Sequence, residues 1–237
     1  MRTFSQLQEG VYDPNIFKAF FLAGGPGSGK SYVVRRTTGG LGMRVVNSDD
    51  AFEKLLKDAD LSLKMPDSEE QQREPVRQRA KEITKAKQKN YINGRLGLII
   101  DGTGKDYDKI AYQARQLETL GYDTHMIFVN TSLDVALERN AKRARSVPEQ
   151  IVVNSWKTVQ QNIGKFSNFF KGNFIIVDNN NAQEDILTDV FKRIKNLANQ
   201  KIKNRRADKW IATELQKKGV KFSGGQSQFK KFAGKRR

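Results

Sequence analysis

The sequence predicts an α/β fold in which helices cover both faces of a parallel five-stranded sheet. Five short apolar runs alternate along the chain with segments of helical periodicity, and the intervals between them leave room for crossover helices. One of the runs, residues 96–100, is continuously apolar, as expected of a strand that is buried on both faces. The chain has 237 residues, which is long enough for one well-buried domain with an appended segment.

The first half of the chain predicts a strand, a helix, a second strand and a long polar helix. Residues 19–23 form the first strand, and the helix over residues 30–37 stops at a pair of glycines. Residues 43–47 form the second strand. The polar stretch 68–91 has sparse apolar positions, which indicates an exposed helix over the substrate side, and Pro75 must lie in its first turn or break it.

The second half continues the alternation after the strand at residues 96–100. A helix that opens near Ser146 carries apolar residues at spacings of four and three, from Val152 through Trp156 to Phe170, which predicts a stripe that packs in the core. The chain's one histidine, His125, falls inside a strand, where we expect a packing or surface position rather than catalysis. The other expected elements are helices at 106–120, 132–143 and 182–198 and strands at 123–130 and 173–177.

Composition and charge divide the chain into a domain over residues 1–199 and a basic, flexible tail over residues 200–237. Within the tail, residues 209–218 can form one short helix, and residues 219–237 are the part that we expect to stay flexible until something binds it. The tail holds 13 Lys and Arg against 2 acids, within a chain of net charge +17, and such a segment favours nucleic acid or another polyanion. The chain has no cysteine and no apolar signal core or membrane span. We therefore expect a soluble, cytoplasmic protein that has no membrane partner.

The most specific motif follows the first strand and fits the phosphate-binding pattern G-x-x-x-x-G-K-[ST] in full. Its glycines let backbone N–H groups turn toward phosphate oxygens, and the helix that opens at Lys30 adds its positive end. Lys30 should reach the β- and γ-phosphates of ATP or another nucleoside triphosphate, and the Ser31 hydroxyl should hold Mg²⁺. The motif consists of Gly24, Gly25, Pro26, Gly27, Ser28, Gly29, Lys30 and Ser31.

Acidic residues follow two further strands, and parallel strands end at the ligand crevice. A kinase that acts on a hydroxyl needs a carboxylate to accept the proton, and Asp49 or Asp50 fits this role. Asp101 fits a Mg²⁺ contact or substrate binding, with Thr103 beside it. One of the two neighbouring aspartates can equally do no more than cap the next helix.

Three arginines, Arg139, Arg143 and Arg145, form the third candidate group. Arg139 and Arg143 are four residues apart and share a helical face, whereas Arg145 lies past the expected helix end. Arginines carried by a short lid can stabilise the charge that develops during phosphoryl transfer.

Three segments in one order resemble the P-loop kinases that include zeta toxins and phage polynucleotide 5′-hydroxyl kinases. They are the phosphate loop, then Asn47-Ser48-Asp49-Asp50-Ala51-Phe52, then Ile99-Ile100-Asp101-Gly102-Thr103-Gly104-Lys105. The third segment is similar to zeta toxins, and the lid 139–143 with Val147-Pro148 is closer to the polynucleotide kinases. The resemblance covers roughly residues 18–170. It implies a P-loop kinase with an aspartate base, lid arginines and substrate contacts from Asp101, Thr103 and Lys105.

The resemblance leaves the base and the acceptor open. The zeta-toxin match places the base on Asp50, which we slightly prefer, whereas the polynucleotide-kinase match places it on Asp49. Zeta toxins usually carry Glu and Arg where this chain has Asp101 and Lys105. The arginine that follows the base in polynucleotide kinases is replaced near Phe52 and Glu53.

The leading hypothesis is an ATP-dependent phosphotransferase that acts on a hydroxyl of a nucleotide, a nucleotide-sugar or a nucleic acid end. If the chain is of phage origin, it would act in the host cytoplasm. The alternative is a nucleic-acid-binding protein that is regulated by a nucleotide, uses its basic tail and has no kinase activity. A toxin that phosphorylates a cell-wall sugar nucleotide is a third possibility, which rests on the resemblance alone.

Overall fold

A parallel five-stranded sheet forms the centre of the computed structural model, which describes residues 10–64, 66–143, 147–181 and 184–219. The strands are β1 (Lys18–Ala23), β2 (Arg44–Val46), β3 (Leu98–Asp101), β4 (Asp123–Asn130) and β5 (Phe174–Asp178). They lie in the order β2-β3-β1-β4-β5, and every pairing is parallel. The predicted α/β class with a five-stranded parallel sheet is confirmed.

Eight helices lie within the described ranges. They are α1 (Lys30–Thr38), α2 (Asp49–Asp58), α3 (Glu70–Asn93), α4 (Tyr107–Thr119), α5 (Leu133–Ala141), α6 (Glu149–Phe170), α7 (Glu184–Asn199) and α8 (Arg205–Lys217). Short 3₁₀ turns, Asp67–Glu69 and Lys171–Asn173, precede α3 and β5. None of the helices in these ranges has both the length and the apolar character to cross a membrane.

The sheet has a helical layer on each face. Successive side chains of β1 point to opposite faces, and each set packs against a different group of helices. Phe20 and Leu22 pack in a cluster with residues of α1 and α7. Ala19, Phe21 and Ala23 pack in a second cluster, to which α4, α6 and α8 contribute. His125 is buried and stacks on Phe20 with a ring-centroid distance of 4.6 Å, so its predicted packing role is confirmed.

A third, smaller cluster joins α2 to α3 beside the β2 edge of the sheet. Phe52 and Leu56 of α2 and Ala80 of α3 are its buried members. The Thr84 hydroxyl of α3 lies 3.5 Å from the carbonyl oxygen of Asn47, at the end of β2. This arrangement places α3 over the carboxyl end of the sheet.

Pro75 departs from its predicted position, because it lies inside α3 beyond the first turn and the helix continues through it. A proline at this position cannot donate to the carbonyl of Gln71, four residues earlier. Gln71 is exposed, so water can satisfy that carbonyl, and the helix tolerates the loss.

The segment after residue 199 contains α8, which overlaps the short helix expected at residues 209–218 and, unlike a flexible tail, packs on the domain. Ala207, Ile211 and Leu215 are buried in the same cluster as Phe21. Trp210 meets the ring of Phe17 edge-on at 5.4 Å. Residues 200–219 are thus attached to the core, and the rest of the predicted tail, residues 220–237, lies outside the described residues.

Candidate active site

The phosphate loop connects β1 to α1 at the carboxyl edge of the sheet. Its backbone bends sharply at Gly27 and Gly29, whose φ values of 78° and 79° lie in the region that favours glycine. The Lys30 Nζ donates to the carbonyl oxygen of Gly24 at 2.7 Å, and the Gly24 amide donates to the carbonyl oxygen of Thr103 at 3.0 Å. The loop is therefore tied both to its own lysine and to the turn that follows β3.

The loop also retains donors for an anion. The Ser28 amide bonds the carbonyl of Gly25, but within the described residues no hydrogen bond occupies the amides of Gly27, Gly29 or Lys30. The first N–H groups of α1 have no partner within the helix, and this end of the helix dipole is positive. Such a set of inward donors fits the phosphates of a nucleoside triphosphate.

Asn47 organises the acidic side of the site. Its side-chain amide donates to Asp101 Oδ2 at 3.0 Å, and its Oδ1 accepts from the backbone N–H of Asp49 at 2.7 Å. The end of β2, the end of β3 and the start of α2 therefore meet at one side chain. Asp49 and Asp50 lie in the first turn of α2, after Ser48, with exposed side chains.

The charged groups of the site act on one another. Burial lowers the pKa of Lys30, the nearby carboxylates of Asp101 and Asp49 oppose this effect, and Arg143 adds to it. Burial raises the pKa of Asp101, with Lys30 opposing the change and Asp49 and Asp50 reinforcing it. The predicted lysine, the three aspartates and Arg143 are thus brought together.

The site offers an incomplete set of ligands for Mg²⁺. One oxygen of Asp101, Oδ1, is buried without a hydrogen-bond partner, and the Ser31 side chain is exposed at the start of α1. No cluster of three acidic or histidine side chains in the described ranges could hold a metal by itself. These residues fit a cation whose remaining ligands are nucleotide phosphates and water, which is how Mg²⁺ is commonly held beside bound phosphates.

The lid arginines have different surroundings. Arg139 donates to the carbonyl oxygens of Asn179 and Asn180, at 2.7 and 3.0 Å, so it joins α5 to the end of β5. Arg143 follows α5, and its exposed side chain is close enough to affect Lys30. Arg145 lies outside the described residues.

Of the three site residues predicted in the turn after β3, two line a cleft and the third does not. Asp101 and Thr103 line a cleft of about 280 Å³ between β3, α3 and α4, together with Ser48, Thr84 and Gln88. Lys105 is exposed and does not line this cleft.

Two buried asparagines support the site in ways that sequence reasoning did not identify. The Asn179 side chain donates to the carbonyl oxygen of Ser28 at 2.7 Å, inside the phosphate loop. The Asn162 side chain donates to the carbonyls of Gly104 and Lys105, at 3.0 and 2.8 Å, and holds the turn after β3. The position of Asn179 directly after the last strand is a sequence feature that indicates a site residue. Asn162 lies inside the helix α6, and no feature of the sequence indicates its role.

The fold is shared with solved structures of kinases at low sequence identity. A putative kinase from Chloroflexus aurantiacus has a TM-score of 0.56 and 15% identity, over 76% of this chain and 98% of that chain. A chain of the Pnkp1/Rnl/Hen1 RNA repair complex has a TM-score of 0.50 and 20% identity, over 69% of this chain and 49% of that chain. A gluconokinase from Sinorhizobium meliloti has a TM-score of 0.48 and 16% identity, over 77% of this chain and 94% of that chain.

A search of the curated proteins gave no match. A family model gives a match that begins within β1, includes the whole phosphate loop and ends within α6. The model for the AAA domain family (AAA_33) matches residues 20–165, more than half of the chain, and the protein therefore belongs to this family.

Proposed function

We propose that the protein is an ATP-dependent phosphotransferase that moves the γ-phosphate to a hydroxyl of a nucleotide, a nucleotide-sugar or a nucleic acid end. One observation carries the proposal: the Asn47 side chain bonds Asp101 Oδ2 at 3.0 Å and the Asp49 N–H at 2.7 Å, beside the phosphate loop that carries Lys30. The carboxylates of Asp101 and Asp49 and the Arg143 guanidinium all influence the pKa of Lys30. A phosphate donor site, a candidate base and a cation for the developing charge are thus combined at one sheet edge.

The reaction requires an oxygen nucleophile and a proton acceptor. The acceptor's hydroxyl oxygen bonds to the γ-phosphorus, its proton passes to a carboxylate, and the bond from the γ-phosphorus to the β–γ bridging oxygen breaks so that ADP leaves. Mg²⁺, held by Ser31 and Asp101, would neutralise charge on the phosphates when bound. Lys30 and Arg143 stabilise the charge that builds on the transferred group.

Asp49 is the better candidate for the base, although the zeta-toxin match favours Asp50. The Asp49 carboxylate raises the pKa of Lys30, and Asp49 lines a cleft beside Ser48. Among the described residues, Asp50 is neither a cause of the Lys30 pKa shift nor part of the lining of this cleft. Consecutive residues of a helix point about 100° apart, so the two carboxylates cannot face the same group equally. Asp50 then serves the first turn of α2, where an acidic side chain interacts favourably with the helix dipole.

The acceptor is the least constrained part of the proposal. The motif resemblance to zeta toxins and phage polynucleotide kinases supports acceptors that contain a nucleotide. One structural neighbour comes from an RNA repair complex, which is consistent with a nucleic acid end.

A screen with γ-labelled ATP tests this function, with 5′-hydroxyl oligonucleotides, nucleosides and UDP-sugars as acceptors and ATP hydrolysis alone as the control. We expect label transfer to one acceptor class and its loss in Lys30→Met. Asp49→Asn should lower kcat by roughly 10²- to 10⁴-fold, while the neighbouring Asp50→Asn serves as the matched control. Transfer to none of the acceptors would contradict the proposal, and the opposite ranking of the two variants would return the base to Asp50.

A second candidate function is nucleotide-regulated nucleic acid binding without phosphoryl transfer. Residues 200–237 favour it, because they carry 13 Lys and Arg against 2 acids. Oligonucleotide binding that responds to ATP, is lost on deleting residues 220–237, which leaves α8 in place, and occurs without label transfer would select this function instead.

A further inference from the structure

A second cleft lies next to Asp49 and is lined by basic side chains. It measures about 470 Å³ and lies between α2, α3 and the start of α6. Arg73, Arg77 and Lys81 of α3 line it at intervals of four residues, which puts them on one face of the helix. At a rise of 1.5 Å per residue they extend over about 12 Å. We call these three residues the basic strip.

The strip leads away from the reaction centre in a defined direction. Thr84 of α3 lies beside the end of β2, and the Arg77 guanidinium lies 5.1 Å from the centre of the Phe52 ring. Since α2 starts directly after β2, Lys81 is the strip residue that lies nearest to Asp49 along α3, followed by Arg77 and then Arg73.

The ends of the strip differ in charge and in contacts. Glu70 also lines the cleft, one turn before Arg73, and its carboxylate repels anions at that far end. The Arg73 guanidinium donates to the carbonyl oxygen of Pro66. The Arg77 guanidinium lies over the Phe52 ring in a cation–π contact, and this contact uses none of its N–H groups as donors to an acceptor oxygen or nitrogen. Arg77 and Lys81 therefore form the half of the strip that is best suited to binding an anion.

Apolar side chains from the first turn of α6 and the two residues before it line the same cleft. Val147, Pro148 and Ile151 contribute to the lining, and Ile151 is 48% exposed. A cleft with cations on one helix and apolar side chains on another suits a ligand with an anionic backbone and flat, weakly polar rings.

We propose that the basic strip binds successive phosphates of a single-stranded nucleic acid whose terminal hydroxyl lies at Asp49. The length of the strip favours this ligand, because the two joined phosphates of a nucleotide-sugar would occupy only one end of it, whereas a strand supplies a phosphate at each nucleotide. The placement of the hydroxyl rests on the proposed function. Binding of the strand to the strip does not.

The test measures binding without ATP, so that its result does not depend on phosphoryl transfer. The probe is a fluorescent six-nucleotide single strand with a 5′-hydroxyl, and its affinity is measured by anisotropy over a range of salt concentrations. Arg77→Gln/Lys81→Gln is compared with Arg79→Gln/Lys89→Gln, which removes one Arg and one Lys from other faces of the same helix. Arg79 forms an exposed ion pair with Glu82, whose loss costs little stability. Arg73 is left intact because of its bond to Pro66.

We expect the strip variant to bind the strand roughly tenfold more weakly or worse, since two charged contacts are lost. Its slope of log affinity against log salt should fall by about 1.4, at about 0.7 per phosphate contact. ATP affinity should be unchanged, and the control variant should match the wild type. A control variant that weakens equally would reduce the effect to general charge attraction and overturn the proposal.

Two further outcomes separate this proposal from the proposed function. Strip-dependent binding of the strand, with no label transfer to any acceptor, would support the strip while contradicting the phosphotransferase. Label transfer to a UDP-sugar, with strand binding that is insensitive to the strip variant, would support the phosphotransferase while overturning the strip.

Discussion

The side-chain amide of Asn179 donates to the carbonyl oxygen of Ser28 at 2.7 Å, which ties the end of β5 to the phosphate loop. Asn179 is only 3% exposed, and its own carbonyl accepts from Arg139. The bond therefore connects the loop that would hold the triphosphate to the helix α5, which precedes Arg143. It gives the loop a fixed support on the side opposite Thr103.

Replacing Asn179 by alanine should loosen the phosphate loop. The Ser28 carbonyl would lose a buried partner, which costs about 1–3 kcal/mol in the free energy of unfolding, and the Kd for ATP should rise roughly tenfold as the loop loses its position. Urea unfolding and ATP titration calorimetry measure the two effects. Asn181→Ala, an exposed residue two positions later, is the control. Equal behaviour of the two variants would show that the bond does not support the loop.

The close approach of Gly27 to α5 yields a second prediction. A Cβ atom added at Gly27 would lie 2.0 Å from the carbonyl oxygen of Ala136, whereas one added at Gly40 would have no neighbour within 4 Å. The two glycines have nearly the same φ, 78° and 77°. Each alanine variant therefore carries a similar conformational cost of about 1–2 kcal/mol, and only Gly27→Ala adds a collision with backbone.

We expect Gly27→Ala to lose measurable ATP binding, while Gly40→Ala retains it with a modest fall in stability. Calorimetric titration with ATP and thermal unfolding of both variants measure the difference. Retained ATP affinity in Gly27→Ala would mean that the loop does not require this close packing on α5.

Local patterns predicted most of the sheet and the loop. The strand β4 has the bounds that the sequence predicted, because an aspartate and an asparagine flank a buried run that is mostly apolar. The phosphate loop was recognised because all of its residues are adjacent in the chain, so its pattern needs no tertiary information.

The parts that were missed depend on contacts between distant positions. Asn179 lies 151 residues from its partner Ser28, and no local pattern indicates such a pair. The sequence indicates a short helix over residues 209–218, but the lysines and arginines around its apolar residues do not indicate that these residues are buried against the core. Which of Asp49 and Asp50 faces the phosphate loop depends on how the helix α2 is rotated about its axis. The motif matches both positions and therefore does not distinguish them.

The stability of the protein should fall in acid because of His125. Burial, with a smaller effect of Lys18, lowers the pKa of His125 to about 3, and neither ring nitrogen has a hydrogen-bond partner. Below pH 6.5 the unfolded chain binds a proton at this side chain, whereas the folded protein binds it only near pH 3. Stability is therefore lost as the pH falls from 6.5 towards 3, by about 2 kcal/mol at pH 5.

His125→Phe and His125→Asn remove this titration, although they pack differently. Relative to the wild type, both variants should gain about 2 kcal/mol between pH 7.5 and pH 5, whatever their absolute stabilities are. Urea unfolding at the two pH values measures the gain. If wild type and variants show the same pH dependence, the imidazole is not held neutral in the folded protein.

The last prediction separates the packed and terminal parts of the basic segment. Deleting residues 200–237 removes α8. The core then loses the buried Ile211 and Leu215 and the edge contact of Trp210 on Phe17. We therefore expect a loss of about 3 kcal/mol or more in the free energy of unfolding. Deleting only residues 220–237 removes six Lys and Arg and no acid, and leaves these core contacts in place.

The shorter deletion should unfold at the same urea concentration as the full chain while its affinity for single-stranded oligonucleotides becomes weaker and less dependent on salt. Urea unfolding and fluorescence anisotropy of the two deletions and the full chain provide the comparison. Equal unfolding midpoints for both deletions would mean that α8 contributes nothing to the core. Unchanged oligonucleotide affinity in the shorter deletion would assign nucleic acid binding to the folded domain, because the basic strip of α3 remains there.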